Sequence, residues 1–186
     1  MAKQILVFAG STRKGSFSKA FAGAAARAID EAGGVAQLID LGDFPATIYN
    51  QDEEAANGLP ETMQRLKAAI AGSDGLMVST PEYNGCVPPL LINVLSWVSR
   101  PEGDEAASAV FAGKPVAVMA CSPGGMGGVR VIPRLRDFLC ELGCVPVSGF
   151  ASLAQAHEAF DDQGNLVSEQ VAGMVEGLAG RLVGAS

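Results

Sequence analysis

Residues 4–18 read QILVFAGSTRKGSFS. Ile5 to Ala9 form a near-continuous apolar run, the pattern of a strand buried on both faces as in a parallel sheet. The next nine residues change character: Gly10, four hydroxyl side chains (Ser11, Thr12, Ser16, Ser18) and two cations (Arg13, Lys14). A loop that leaves a buried strand and opens a helix presents unpaired N–H groups and a partial positive charge. Both favour an anion, phosphate above all. The competing reading is ordinary helix capping by Ser16 or Ser18, with Arg13 and Lys14 simply solvated.

The pattern continues outward from this stretch. VAQLID (35–40), GLMVST (75–80) and PVAVMAC (115–121) read as further strands, and CVPVSGF (144–150) as a fifth. Helical periodicity covers 17–32, 59–72, 88–99, 128–142 and 168–183. Pro88-Pro89 suits a first helical turn. The alternation predicts an α/β fold: a three-layer, doubly wound, five-stranded parallel sheet with right-handed crossovers. No linker or repeat interrupts it, so residues 1–186 are read as a single domain. The longest loops are 42–57 and 101–113.

Ligands of such sheets bind beyond the C-terminal strand ends. Three loops there are unusual: 10–18, 81–89 and 122–128. The first lacks G-x-G-x-x-G and G-x-x-x-x-G-K-[ST], which argues against a dinucleotide fingerprint or a P-loop. The second carries Pro81, Pro88 and Pro89 around the turn pair Asn84-Gly85, a stiff platform for a flat heterocycle. The third is rich in glycine, which lets backbone approach a ligand closely.

Composition narrows the function. The 186 residues carry 13 Lys+Arg against 20 Asp+Glu, a formal net charge of −7, which disfavours nucleic acid and anionic membrane as partners. No apolar stretch approaches the ~20 residues of a membrane span. The four cysteines form no C-x-x-C pair, so zinc is not expected and reduced thiols are. With a strand-like run almost directly after Met1, no leader is expected and a cytoplasmic location is. His157 is the sole histidine and no G-x-S-x-G is present, which leaves a Ser-His-Asp triad without a basis.

GSTRKGSFS (10–18) together with PEYNGCVPPLLINVLSWVSR (81–100) resembles the NADPH-dependent FMN reductase family. SPGGMGGVR (122–130) and FDDQGNLVSEQ (160–170) extend the likeness across the chain. The resemblance implies a flavodoxin-like fold with strand order 2-1-3-4-5 and the cofactors FMN and NADPH or NADH. It implies that Ser11, Arg13, Ser16 and Ser18 hold the FMN phosphate, with Phe17 beside them. Pro81, Glu82, Tyr83, Asn84 and Gly85 would line the isoalloxazine, and Ser122, Gly124 and Gly125 its other edge. Gly127 and Gly128 are expected to be a mobile turn only. The implied activity passes hydride from nicotinamide to flavin N5 and then reduces a quinone, flavin, azo dye or metal-oxyanion acceptor, by a ping-pong mechanism. No side chain is assigned as catalytic, and Glu82 is read as positioning. The alternative is a non-enzymatic flavodoxin-like electron carrier.

The departures lie at Ser18, where the family has asparagine, at Cys86 and Pro89, and at Ile92 and Ser96. The last two replace a lysine and an aspartate one helical turn apart. A homodimer or homotetramer is implied, and loss of that pair bears on its assembly. Tyr49 is a candidate to reach a neighbouring subunit's flavin.

Overall fold

The structure is a computed structural model, describing residues 1–185. Its strands are β1 (Gln4–Ala9), β2 (Val35–Ile39), β3 (Gly75–Pro81), β4 (Pro115–Cys121), β5 (Val145–Pro146) and β6 (Ala151–Leu153). Its α-helices are α1 (Phe17–Glu31), α2 (Gln51–Asn57), α3 (Glu61–Ala71), α4 (Pro89–Val98), α5 (Val131–Glu141) and α6 (Glu169–Val183). The strands pair in parallel in the order β2-β1-β3-β4-β5, with β6 also on β4. The expected 2-1-3-4-5 order is the observed one.

The apolar runs decide which strands take the middle. β1, β3 and β4 are buried along nearly their whole length, whereas β2, with its mixed pattern, lies at an edge. Alternate side chains enter opposite cores. Leu6 and Phe8 join Leu66, Leu95, Trp97 and Leu135 of α3, α4 and α5 on one face. Ile5, Val7 and Ala9 join Phe21, Ile29, Leu178 and Leu182 of α1 and α6 on the other.

The fifth strand differs from the expectation of one continuous segment over 144–150. The β4–β5 ladder is only two pairs long, Pro115↔Val145 and Val116↔Pro146, and is bonded by the N–H groups of Val145 and Val147, which donate to the carbonyls of Lys114 and Val116 at 2.9 Å each. The chain then detours through Gly149 (φ 82), held where Arg136 Nη1 donates to the carbonyls of Val147 and Gly149. It returns as β6, pairing Met119 with Ala151 and Cys121 with Leu153. Two short strands thus share the fifth place.

The 42–57 loop also holds structure that apolar periodicity does not signal. α2 buries none of its residues. Its start is marked by Asn50, which accepts from the Asp52 N–H, and by Asp52, Glu53 and Glu54 in the first turn.

Candidate functional site

The first loop is shaped by a glycine that cannot be replaced cheaply. A Cβ on Gly10 would meet Leu91 Cδ1 at 2.7 Å, and the Gly10 N–H donates to the Ser79 carbonyl at 2.8 Å. The chain then turns through Gly15 (φ 63) into α1. Ser16 occupies the N-cap position with extended backbone, yet its side chain makes no capping bond, and the first turn carries no acidic residue. Instead Ser16 Oγ and Ser18 Oγ face each other at 2.9 Å, both buried. The capping reading therefore fails for these two hydroxyls, which bond each other rather than the helix N–H groups at the positive end of a 15-residue helix.

Arg13 stands beside them. Its guanidinium lies over the Phe17 ring at 5.8 Å and forms no ion pair among the described residues. Ser11 is buried and accepts from the Arg13 N–H at 3.3 Å. Next to Ala9, across the β1–β3 ladder, Ser79 buries a hydroxyl that has no hydrogen-bond partner among the described residues.

The second loop is a two-residue hairpin. Tyr83 and Cys86 exchange backbone hydrogen bonds at 3.2 and 2.9 Å, and Asn84 (φ 54) and Gly85 (φ 74) turn between them. Both are left-handed, the conformation a tight hairpin requires and Asn-Gly tolerates. The loop is fixed to the third by Glu82, whose side chain is 6% exposed. Its Oε2 accepts from the N–H groups of Arg130 and Val131 at 3.0 and 3.2 Å, and its Oε1 from Arg130 Nε at 2.8 Å. A carboxylate on the first N–H groups of α5, paired with Arg130, is a cross-brace.

The third loop divides its glycines by role. A Cβ on Gly127 (φ 58) would meet Ser152 Oγ at 2.5 Å and the Ala154 nitrogen at 2.9 Å; one on Gly128 (φ 76) would meet Ala120 Cβ at 3.0 Å. These two are packed turn residues, which corrects the expectation of a mobile turn. Gly124 and Gly125 are the reverse: nothing lies within 4 Å of a Cβ on Gly125, and only Ser122 Oγ, at 3.8 Å, near one on Gly124. The fold makes no demand for glycine there.

One cleft joins the three loops. Ser11, Arg13, Ser16, Phe17 and Ser18 line one side; Pro81, Glu82 and Tyr83 the second; Cys121, Ser122 and Pro123 the third. Asn84, Gly85, Gly124 and Gly125 lie further out on the same loops. Cys121 and Pro123 were not anticipated. Cys121 ends β4 directly before Ser122, and its position at a central strand's C-terminus was the available signal. Burial pushes its thiol up to about 12, against the pull of the Arg13 cation. Tyr49 is committed within its own chain. Its hydroxyl donates to Glu54 Oε2 at 2.7 Å, its ring meets Trp97 edge-on at 5.0 Å, and Arg100 lies over it at 5.3 Å.

Residues 4–158 match the family described as NADPH-dependent FMN reductase. The chain belongs to that family. It is an oxidoreductase of flavodoxin-like fold with FMN and a reduced nicotinamide dinucleotide as its cofactors. A 2-hydroxy-1,4-benzoquinone reductase from Burkholderia is 35% identical over 170 residues, 91% of this chain and 88% of that protein. An NAD(P)H-dependent FMN reductase from Pseudomonas aeruginosa is 32% identical over 180 residues, covering 93% and 89%. Among solved structures, the flavoenzyme NAD(P)H:(acceptor) oxidoreductase FerB of Paracoccus denitrificans superposes with TM-score 0.82 at 30% identity, covering 98% and 96%.

Proposed function

We propose that the three-loop cleft holds FMN and serves an NAD(P)H oxidoreductase whose acceptor is a quinone, free flavin, azo dye or metal oxyanion. The observation that carries this reading is the set of hydroxyls at the start of α1 that cap no helix N–H group, beside the Arg13 cation. Buried hydroxyls that cap nothing and a cation with no carboxylate fit a phosphate, and a neutral ligand would leave them unanswered. Ser11, Ser16 and Ser18 supply the hydroxyl donors, Arg13 the charge, and the first N–H groups of α1 the backbone donors. Pro81, Glu82 and Tyr83, with the Asn84-Gly85 hairpin, form the platform for the ring. Ser122, Gly124 and Gly125 approach its opposite edge through backbone that no side chain shields.

When bound, FMN supplies the hydride and electron chemistry that side chains lack. The chain's own groups bind and orient, and two of the cleft's titratable groups are held back from proton transfer. The Glu82 carboxylate is engaged by Arg130 and Val131, and the Cys121 thiol is held protonated well above neutral pH. The cleft encloses ≈ 140 Å³, below the roughly 300–1,000 Å³ that buries a drug-sized ligand. It grips the phosphate end and leaves the ring at an open lip. Donor and acceptor use that lip in turn, which gives ping-pong kinetics.

The chain is read as one FMN-binding domain that works as a homodimer or homotetramer in the cytoplasm. The α4 face supports assembly by apolar contact. Ile92 is 40% exposed, Ile48 of the loop that Asn93 holds against α4 is 86% exposed, and the Ser96 hydroxyl turns back to the Ile92 carbonyl at 2.6 Å. Four free cysteines among the described residues fit a reducing compartment, and none of the helices there is long and apolar enough to cross a membrane.

The test is an anaerobic absorbance spectrum of the FMN-loaded protein before and after NADH or NADPH. Rapid bleaching of the flavin bands is expected. Retained flavin that stays oxidised would instead mark an electron carrier, and failure to bind FMN would refute both readings.

A further inference from the structure

A second cavity adjoins the first loop on the side away from the three-loop cleft. It encloses ≈ 350 Å³ between α1 and the end of β2. Its apolar wall is Ala9, Ala22 and Leu38, and Leu38 is left 51% exposed on the edge strand. Its polar rim is Lys19, Asp40 and Asp43. Lys19 Nζ pairs with Asp40 Oδ2 at 2.5 Å, and Asp40 Oδ1 accepts from the Gly42 N–H at 2.8 Å. The exposed Asp43 carboxylate forms no ion pair among the described residues.

The two cavities share the start of α1. Phe17 and Ser18 line the cleft, Lys19 and Ala22 the second cavity. Between the ends of β2 and β4 lie three strand intervals of about 4.8 Å, about 14 Å in all. An extended dinucleotide spans that distance. Lys14, on the same first loop, is exposed and forms no ion pair among the described residues, which leaves it free to meet a diphosphate.

Resting on the oxidoreductase reading, we propose that this cavity receives the adenosine half of the reduced dinucleotide and makes NADH the preferred donor. The purine lies against Ala22 and Leu38, and the ribose hydroxyls donate to Asp40 and Asp43. An acidic side chain at the end of the second strand plays that part in other doubly wound sheets. The rim sets one lysine against two aspartates, an excess negative charge. A 2′-phosphate in this position is repelled rather than bound.

The experiment uses the FMN-loaded protein and anaerobic stopped-flow reduction with three donors: NADH, NADPH and reduced nicotinamide mononucleotide, which lacks adenosine. NADH is expected to exceed both others in kcat/KM. Leu38→Ser should lower the NADH-to-mononucleotide ratio several-fold. Asp43→Arg should raise the NADPH-to-NADH ratio about tenfold, the effect of a contact of about 1.4 kcal/mol. Both positions are exposed, and retained FMN verifies each variant's fold. A mononucleotide as efficient as NADH, or ratios unmoved by both variants, would overturn the inference while leaving the oxidoreductase reading standing. Failure of all three donors to reduce the flavin would overturn that reading and the inference with it.

Discussion

The two ends of the sheet treat their polar groups in opposite ways. At the N-terminal end, Lys67 is buried and fully answered: its ammonium donates to the Arg100 carbonyl at 2.9 Å and pairs with Glu105 at 2.9 Å and Glu102 at 3.1 Å. Lys114 likewise donates to the Ser73 carbonyl. At the C-terminal end, Ser16 and Ser18 are buried with only each other and Ser79 is buried with no partner among the described residues, while the exposed Arg13 meets no carboxylate among them. Burial without a partner, as at Ser79, costs about 1–3 kcal/mol. A fold tolerates that cost where a ligand answers it. The contrast sets the C-terminal end of the sheet apart independently of any family resemblance.

The comparison breaks most sharply through Arg13→Ala. Loss of one charge-assisted contact, about 1.5–3 kcal/mol, should weaken FMN about 10- to 100-fold. The melting temperature of the apoprotein should hardly change. Lys67→Met should do the reverse, costing about 1–3 kcal/mol by stranding the Arg100 carbonyl and leaving FMN affinity intact. If both variants moved both quantities together, the division between the ends would be lost.

The pH dependence sharpens the Lys67 half. Burial alone would lower its pKa, but the hydrogen bonds and charges of Glu105 and Glu102 outweigh it, and the value is raised above 10.5. The folded state thus holds this proton more tightly than the unfolded one. Its stabilisation is complete below 10.5 and is lost as pH rises through the raised value. Chemical denaturation across that alkaline window should show a falling limb, shallower in Lys67→Met.

A smaller effect is expected from Glu82→Gln. It keeps an acceptor for the N–H groups of α5 but removes the charge opposite Arg130. A few-fold weaker FMN, measured by fluorescence titration, is the anticipated result. The smallest readout concerns thiols. At pH 8, Cys86, exposed in the hairpin, should be alkylated quickly. Cys121 and Cys144, both pushed up to about 12 by burial, should react only on unfolding.

How far the sequence revealed these features depends on the range of the interactions. β1, β3 and β4 were legible because a strand buried on both faces must be apolar throughout. The hydroxyls and Arg13 were legible because they lie within nine consecutive residues. The broken fifth strand was not, since apolar character cannot show that Gly149, with φ 82, diverts the chain. α2 escaped because it has no buried face and only caps announce it. The Glu82–Arg130 brace joins residues 48 apart in sequence, and the contrast between Gly125 and Gly127 depends on what β6 places beside them. Tertiary contact alone decides such features.

The most direct measurement of the central claim compares FMN with riboflavin, which differs by the phosphate alone, on the wild-type protein and on Arg13→Ala. The account expects the wild type to favour FMN by about 100-fold or more, through a charge-assisted contact and the hydroxyls of Ser16 and Ser18. Arg13→Ala should lose most of that margin. Equal affinity for the two flavins in the wild type, or a margin untouched by the substitution, would contradict a phosphate cradle at the start of α1.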